Sequence, residues 1–127
     1  MDKISFSFKQ RTAIITGGAQ GFGLDIAKRF LNSGAKVIIW DIDKKMIENT
    51  TKNLNNTNLS SNIVDVSNYK EVESCVNEIL KKTNIDILIN NAGITADNLF
   101  LRMKDEEWEN VINVNLTASM RLTRQVI

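Results

Sequence analysis

The stretch Thr16-Gly17-Gly18-Ala19-Gln20-Gly21-Phe22-Gly23 follows directly on the apolar run Ala13-Ile14-Ile15. Glycine loses more conformational freedom on folding than any other residue, so a cluster of it marks main chain that approaches a guest closely or turns through positive φ. Gly17 stands where a tight turn leaves a strand. Gly21 and Gly23 stand where space must be cleared, for a pyrophosphate and for a helix against a sheet. A phosphate there would meet the free N–H groups and positive dipole end of a helix beginning near Gly21.

Other strand ends carry matching chemistry. Val37-Ile38-Ile39-Trp40-Asp41 closes on a carboxylate at the place where an open α/β sheet reads an adenosine ribose. A carboxylate there repels the 2′-phosphate of NADP and Gln20 offers no compensating charge, so NAD is the expected cofactor; the nearby Lys44 and Lys45 leave NADP open. Asp65-Val66 ends a third run, and Asp65 can accept from an adenine amine, or simply shape a turn with Ser67 and Asn68. Asn90-Asn91-Ala92-Gly93 ends a fourth run. Its small residues permit close packing against a ring or ribose, and Asn91 both donates and accepts.

These residues need a sheet to bring them together. The runs Ala13–Ile15, Val37–Trp40, Ile63–Val66 and Ile85–Ile89 are short, β-branched and nearly continuous, as strands of a parallel sheet covered on both faces are. Between them, Ile26, Ala27, Phe30 and Leu31 recur on one helical face and stop at Ser33-Gly34. Asn68 and Glu71 have capping-box spacing ahead of a stripe formed by Val72, Val76, Ile79 and Leu80, with Cys75 beside it as a core residue. The polar segment 49–62 reads as a frayed helix end and surface loop. A loop from Gly93 to Lys104 leads into a long helix whose first turn holds Asp105, Glu106 and Glu107. Trp108, Val111 or Ile112, Asn115, Ser119, Leu122 and Val126 share one of its faces, on which Asn115 is the polar anomaly. The order βαβαβαβα predicts an α/β fold, the first part of a Rossmann-like, doubly wound parallel sheet.

Composition bounds the alternatives. The 127 residues suit a single domain over 1–127, 43% apolar and 24% charged. A net charge of +1 gives no footprint for nucleic acid. Apolar runs fall far short of the roughly twenty residues that span a bilayer, and Met1-Asp2-Lys3 opens no secretory core, so a cytoplasmic protein without membrane partners is expected. With one cysteine and no histidine there is no disulfide, no metal constellation and no imidazole base. Proline is absent and the last helical pattern reaches Ile127 without a stop signal, which predicts a chain cut within the helix that follows the fourth strand.

Taken together, the glycine loop, Asp41, Asp65-Val66, Asn90 to Gly93 and Asn115 resemble the amino-terminal half of the short-chain dehydrogenase/reductase family. Residues 93–119 are particularly similar to 3-oxoacyl-[acyl-carrier-protein] reductases, and next to acetoacetyl-CoA reductases. The resemblance implies diphosphate contacts from Gly17, Gln20, Gly21, Phe22 and Gly23. It implies ribose contacts from Asp41 and Ile42, adenine contacts from Asp65 and Val66, and contacts further along the dinucleotide from Asn91, Ala92 and Gly93. Asn115 matches the family's helix asparagine, which holds a water of the proton relay. The implied substrate is an acyl thioester, carried by acyl-carrier protein or CoA, and the implied parent enzyme a homo-oligomer in fatty acid biosynthesis.

Departures from the family pattern are specific. Its catalytic serine and Tyr-x-x-x-Lys pair are not among these residues, and the single tyrosine, Tyr69, has Glu73 four residues on. These acyl reductases usually take NADPH and often carry a basic residue where Gln20 stands; Ala96 also replaces a basic residue common in its loop. The expectation is therefore a fragment of a reductase, inactive alone because no proton donor is present. The rivals are a noncatalytic dinucleotide-binding or oligomerisation module and a flavodoxin-like binder of another nucleotide.

Overall fold

Ile14 and Ile38 face one side of a sheet while Ile15 and Ile39 face the other, and all four are buried, so the two strands that carry them are covered on both faces. The computed structural model describes residues 5–127; Met1, Asp2 and Lys3, which bear on a leader, lie outside the described residues. The central strands are Thr12–Thr16 (β1) and Lys36–Asp41 (β2), separated by helix α1 at Gly21–Asn32. Then come α2 at Lys44–Leu54, β3 at Leu59–Ile63, α3 at Tyr69–Leu80 and β4 at Ile87–Ile89. All pairings are parallel, in the order β3-β2-β1-β4, with Ile14 opposite both Ile38 and Leu88. The chain thus moves outward from β1 through β2 to β3 and then crosses to the far side of β1. That reversal is the switch point of a doubly wound sheet.

Each face has its own core. On one, Ile14, Ile38, Trp40 and Val64 meet Val72, Val76 and Ile79 of α3 and Leu122. On the other, Ile15, Val37 and Ile39 meet Ala27 and Leu31 of α1, with Phe8 set edge-on to Phe30 at 5.1 Å. Gly34, at φ +87°, ends the α1 unit as its position predicts. Asn68 caps α3 by accepting from the Glu71 N–H at 3.3 Å. Cys75 packs beside the first core, where burial pushes its thiol pKa up and Glu71 adds to the rise.

Three elements differ from the sequence reading. The third strand is Leu59–Ile63, not Ile63–Val66, so the polar segment 49–62 holds the end of α2 and most of a strand. Leu-Ser-Ser-Asn-Ile is a sheet edge, paired only with β2 and half open to solvent, where polar residues cost little. Leu80 is 45% exposed and leaves the α3 stripe. The last helix is not regular: α4 at Asp105–Ile112 passes into a π-helical stretch at Asn113–Thr117 before α5 at Ala118–Val126. The extra residue of the wider turns rotates the faces. Trp108 is 56% exposed, and only Ala118 and Leu122 in 105–126 are buried.

Candidate functional site

The glycine loop joins β1 to α1, with Gly18 and Ala19 buried and Gln20 and Gly21 exposed. Gly17 and Gly21 have φ of +62° and +55°. A Cβ on Gly21 would meet nothing within 4 Å, so its open side is a cradle that any larger residue would fill. Gly23 has the opposite character: a Cβ there would lie 2.2 Å from the Gly17 carbonyl oxygen, so the first turn of α1 sits directly on the loop. Gln20, the extended N-cap, makes no side-chain cap bond, and the first turn carries no acid. In α2 and α3, by contrast, Asp43 and Asn68 cap the first turn. The N-terminus of α1 is left ready for an anion.

Asp41, at the end of β2, accepts the Ala19 N–H through Oδ2 at 3.3 Å and the Asp43 N–H through Oδ1 at 3.2 Å. Asp65 forms the turn that its sequence allows, Oδ1 accepting the Ser67 hydroxyl at 2.6 Å and the Ser67 N–H at 2.9 Å. It also lines the same cavity as Asp41. The Asn91 amide donates to the carbonyl oxygens of Thr16 and Gly17, both at 3.1 Å. The Thr16 hydroxyl in turn accepts the N–H groups of Asn91 and Ala92, both at 3.0 Å. The ends of β1 and β4 are thereby laced together.

These strand ends surround a cavity of about 540 Å³. Gly17, Gln20, Gly21 and Phe22 form one wall, Asp41 and Ile42 the next, Asp65 and Val66 a third, and Asn91, Ala92 and Gly93 the last. Gly23 does not line it; its part is to let α1 approach Gly17. Among the described residues no lysine or arginine lines the cavity, Lys44 and Lys45 included. A diphosphate entering it would be met by helix N–H groups rather than by cations. Tyr69 also lies elsewhere, its hydroxyl accepting from Gln125 Nε2 at 2.7 Å and its ring lying 5.5 Å below the Arg121 guanidinium.

Asn115 departs from its expected place on the helix face shared with Trp108 and Leu122. It is exposed, and both ends of its amide bond the same residue: Oδ1 accepts the Ile94 N–H and Nδ2 donates to the Ile94 carbonyl, each at 2.9 Å. The π-helical stretch turns it away from the core and toward the loop after β4.

Several further residues contribute to the site. Gly18 is buried so tightly that a Cβ would lie 2.8 Å from Ile39, a requirement that a glycine beside Gly17 could have signalled. Trp40, Val64, Ile94 and Val114 also line the cavity, and as apolar residues they carried no separate signal. The Trp40 indole Nε1 is buried with no partner, the one such side-chain atom among the described residues.

Comparison with known proteins agrees with this architecture. Residues 11–127 match the family model described as short chain dehydrogenase. The chain is 44% identical over 113 residues to the 3-oxoacyl-[acyl-carrier-protein] reductase FabG of Chlamydia pneumoniae, covering 85% of this chain and 45% of that protein. It is 38% identical over 125 residues to FabG of Salmonella typhimurium, covering 95% and 50%. The chain spans about half the length of the curated relatives it matches. Among solved structures, a short-chain dehydrogenase/reductase from Brucella melitensis superposes with a TM-score of 0.90 at 28% identity over 97% of this chain and 53% of that one. The Pseudomonas aeruginosa RhlG/NADP active-site complex does so with a TM-score of 0.87 at 28% identity over 95% and 48%. By its family match, its sheet order and its relatives, the chain belongs to the short chain dehydrogenase family.

Proposed function

We propose that these residues are the dinucleotide-binding part of an NAD(P)-dependent oxidoreductase that reduces a 3-oxoacyl thioester, on acyl-carrier protein or CoA, to the 3-hydroxyacyl form. One observation carries the reading: Gly21, Asp41, Asp65 and Asn91, from the carboxyl ends of four parallel strands or the loops just beyond them, line one cavity. In this reading the first turn of α1 receives the diphosphate beside Gln20 and Phe22, Asp41 and Ile42 hold the ribose, and Asp65 and Val66 meet adenine. Asn91, Ala92 and Gly93 lie along the remainder. The bound cofactor supplies a hydride. Asn115 serves the proton relay by position: its amide, committed to Ile94, sets the course of the loop beyond Gly93. The thioester rests on the FabG relatives, and assembly into a homo-oligomer on the family resemblance alone.

NAD is the proposed cofactor. Asp41 sets a negative charge at the end of β2, and no basic side chain among the described residues lines the cavity to balance a 2′-phosphate. NADP, the dinucleotide of the RhlG complex, is the competitor to test. Titration followed by nicotinamide fluorescence is expected to saturate with NADH at lower concentration than with NADPH, and Asp41→Ala to narrow the gap. Equal affinities overturn the NAD assignment.

A second experiment addresses the thioester. The product of the reading frame that contains these residues is expected to oxidise NADH in the presence of acetoacetyl-CoA, whereas residues 1–127 alone are expected to give no turnover. NADH binding without oxidation by the former overturns the thioester and leaves the dinucleotide reading standing.

A further inference from the structure

Ala19 lies at the centre of the glycine loop, 1% exposed, and both of its peptide groups are gripped from outside that loop. Its N–H donates to Asp41 Oδ2 at 3.3 Å, and its carbonyl accepts the Thr50 hydroxyl at 2.7 Å. Thr50 belongs to α2, is 6% exposed and does not line the cavity. The other end of the same helix closes a circuit: Asp43 caps α2 by accepting the Met46 N–H at 3.0 Å and donates its own N–H to Asp41. The end of β2, the loop and α2 are thus held by Asp41, Ala19, Thr50 and Asp43 in one ring of contacts.

The two bonds on Ala19 are unequal. At 2.7 Å the hydroxyl contact has the usual length for an O–H donor, whereas 3.3 Å is long for an N–H donor, so the Asp41 end can yield to a ligand while the Thr50 end holds. A trans peptide is a rigid plane with its C=O and N–H opposed. Holding the Ala19 carbonyl toward α2 therefore fixes the Gln20 N–H on the opposite side, at the entrance to α1. We infer that Thr50 is a positioning residue for cofactor selection: through Ala19 it sets the loop peptide that precedes α1 and holds the Ala19 N–H in reach of the Asp41 carboxylate. The inference rests on the dinucleotide reading given above.

The test uses the product of the reading frame that contains these residues, titrated with NADH and with NADPH. Thr50→Val keeps the shape and removes the hydroxyl, leaving a buried carbonyl without its donor; Thr50→Ala removes the hydroxyl with less bulk, and Thr50→Ser restores it. Both hydroxyl-free variants are expected to bind NADH about tenfold more weakly and to lose NADH preference over NADPH, with Thr50→Ser within about twofold of the unaltered chain. A general loss of order would weaken both cofactors in equal proportion, and that result, or unchanged affinity and preference in whichever hydroxyl-free variant folds, overturns the inference. Failure of the unaltered chain to bind either dinucleotide is a different outcome, which overturns the dinucleotide reading and the role of Thr50 with it.

Discussion

The first turn of α1 rests on the turn that leaves β1: a Cβ on Gly23 would lie 2.2 Å from the Gly17 carbonyl oxygen and 2.6 Å from Asn91 Nδ2. Nothing flexible can retreat from the first of these contacts, because the obstacle is backbone. Gly23→Ala is therefore expected to lower unfolding free energy by about 1–3 kcal/mol and to weaken dinucleotide binding with it. Gly21→Ala is expected to part the two effects. Its Cβ meets no protein atom, so stability falls only by the roughly 1–2 kcal/mol of a left-handed alanine while binding is lost to the filled cradle. Urea unfolding beside NADH titration of both variants makes the comparison, and a stably folded Gly21→Ala variant that binds NADH as the unaltered chain does would contradict it.

Asn91 is the clasp between β4 and the loop. Its Nδ2 serves two carbonyl oxygens, those of Thr16 and Gly17. Asn91→Ala leaves both short of a donor and is expected to cost about 1–3 kcal/mol. Asn91→Asp is the sharper test. An ionised carboxylate facing two carbonyls is repelled, whereas the protonated acid can still donate, so this variant should lose more stability at pH 7 than at pH 4 relative to the unaltered chain. Denaturant midpoints at the two pH values measure it; a pH-independent difference would show that Asn91 does not act as a donor here.

How far the sequence announced this molecule depends on where each element lies. β1 and β2 were plain from Ala13-Ile14-Ile15 and Val37-Ile38-Ile39-Trp40, because central parallel strands are apolar on both faces. β3 was hidden because Leu59-Ser60-Ser61-Asn62-Ile63 is an edge, and the apolar run Ile63-Val64 drew the strand past its true end. Every cavity residue expected from the strand ends lines the cavity except Gly23, whose part is packing. Asn115 was visible as an oddity, yet its reason was not: a count of 3.6 residues per turn cannot foresee the π-helical stretch that turns it out toward Ile94. Thr50 gave no signal at all, since a threonine among Asn49, Thr51 and Lys52 reads as solvated surface.

Asp86 offers a pH test remote from the cavity. The Thr12 N–H donates to its Oδ2 at 2.8 Å and the Arg11 guanidinium to its Oδ1 at 2.8 Å, tying the approach to β4 to the start of β1. The backbone bond, with Arg11 second, holds its carboxyl below the ordinary aspartate range. A carboxyl lowered in the folded state binds fewer protons there than in the unfolded chain. Its contribution is therefore complete above the unfolded value of about 3.9 and is lost as pH falls through the folded one. Asp86→Asn is expected to lower Tm at pH 7 and to converge on the unaltered chain at acid pH. A difference in Tm that is constant from pH 7 to pH 3 would contradict the assignment.

Asn115 behaves as a piece of backbone supplied by a side chain. Its amide pairs with both polar groups of Ile94, as a neighbouring strand would, so the loop beyond β4 is tied to the helix while that pair is intact. Asn115→Leu keeps much of the volume and removes both partners. Because the site is exposed, water replaces the lost bonds and global stability should fall by only about 1 kcal/mol or less. The local effect should be larger: the Ile94 amide is expected to exchange with solvent at least about tenfold faster while amides in β1 and β2 keep their protection. Hydrogen exchange read residue by residue separates the two, and an Ile94 amide that stays as protected as before would mean that the loop is held from elsewhere.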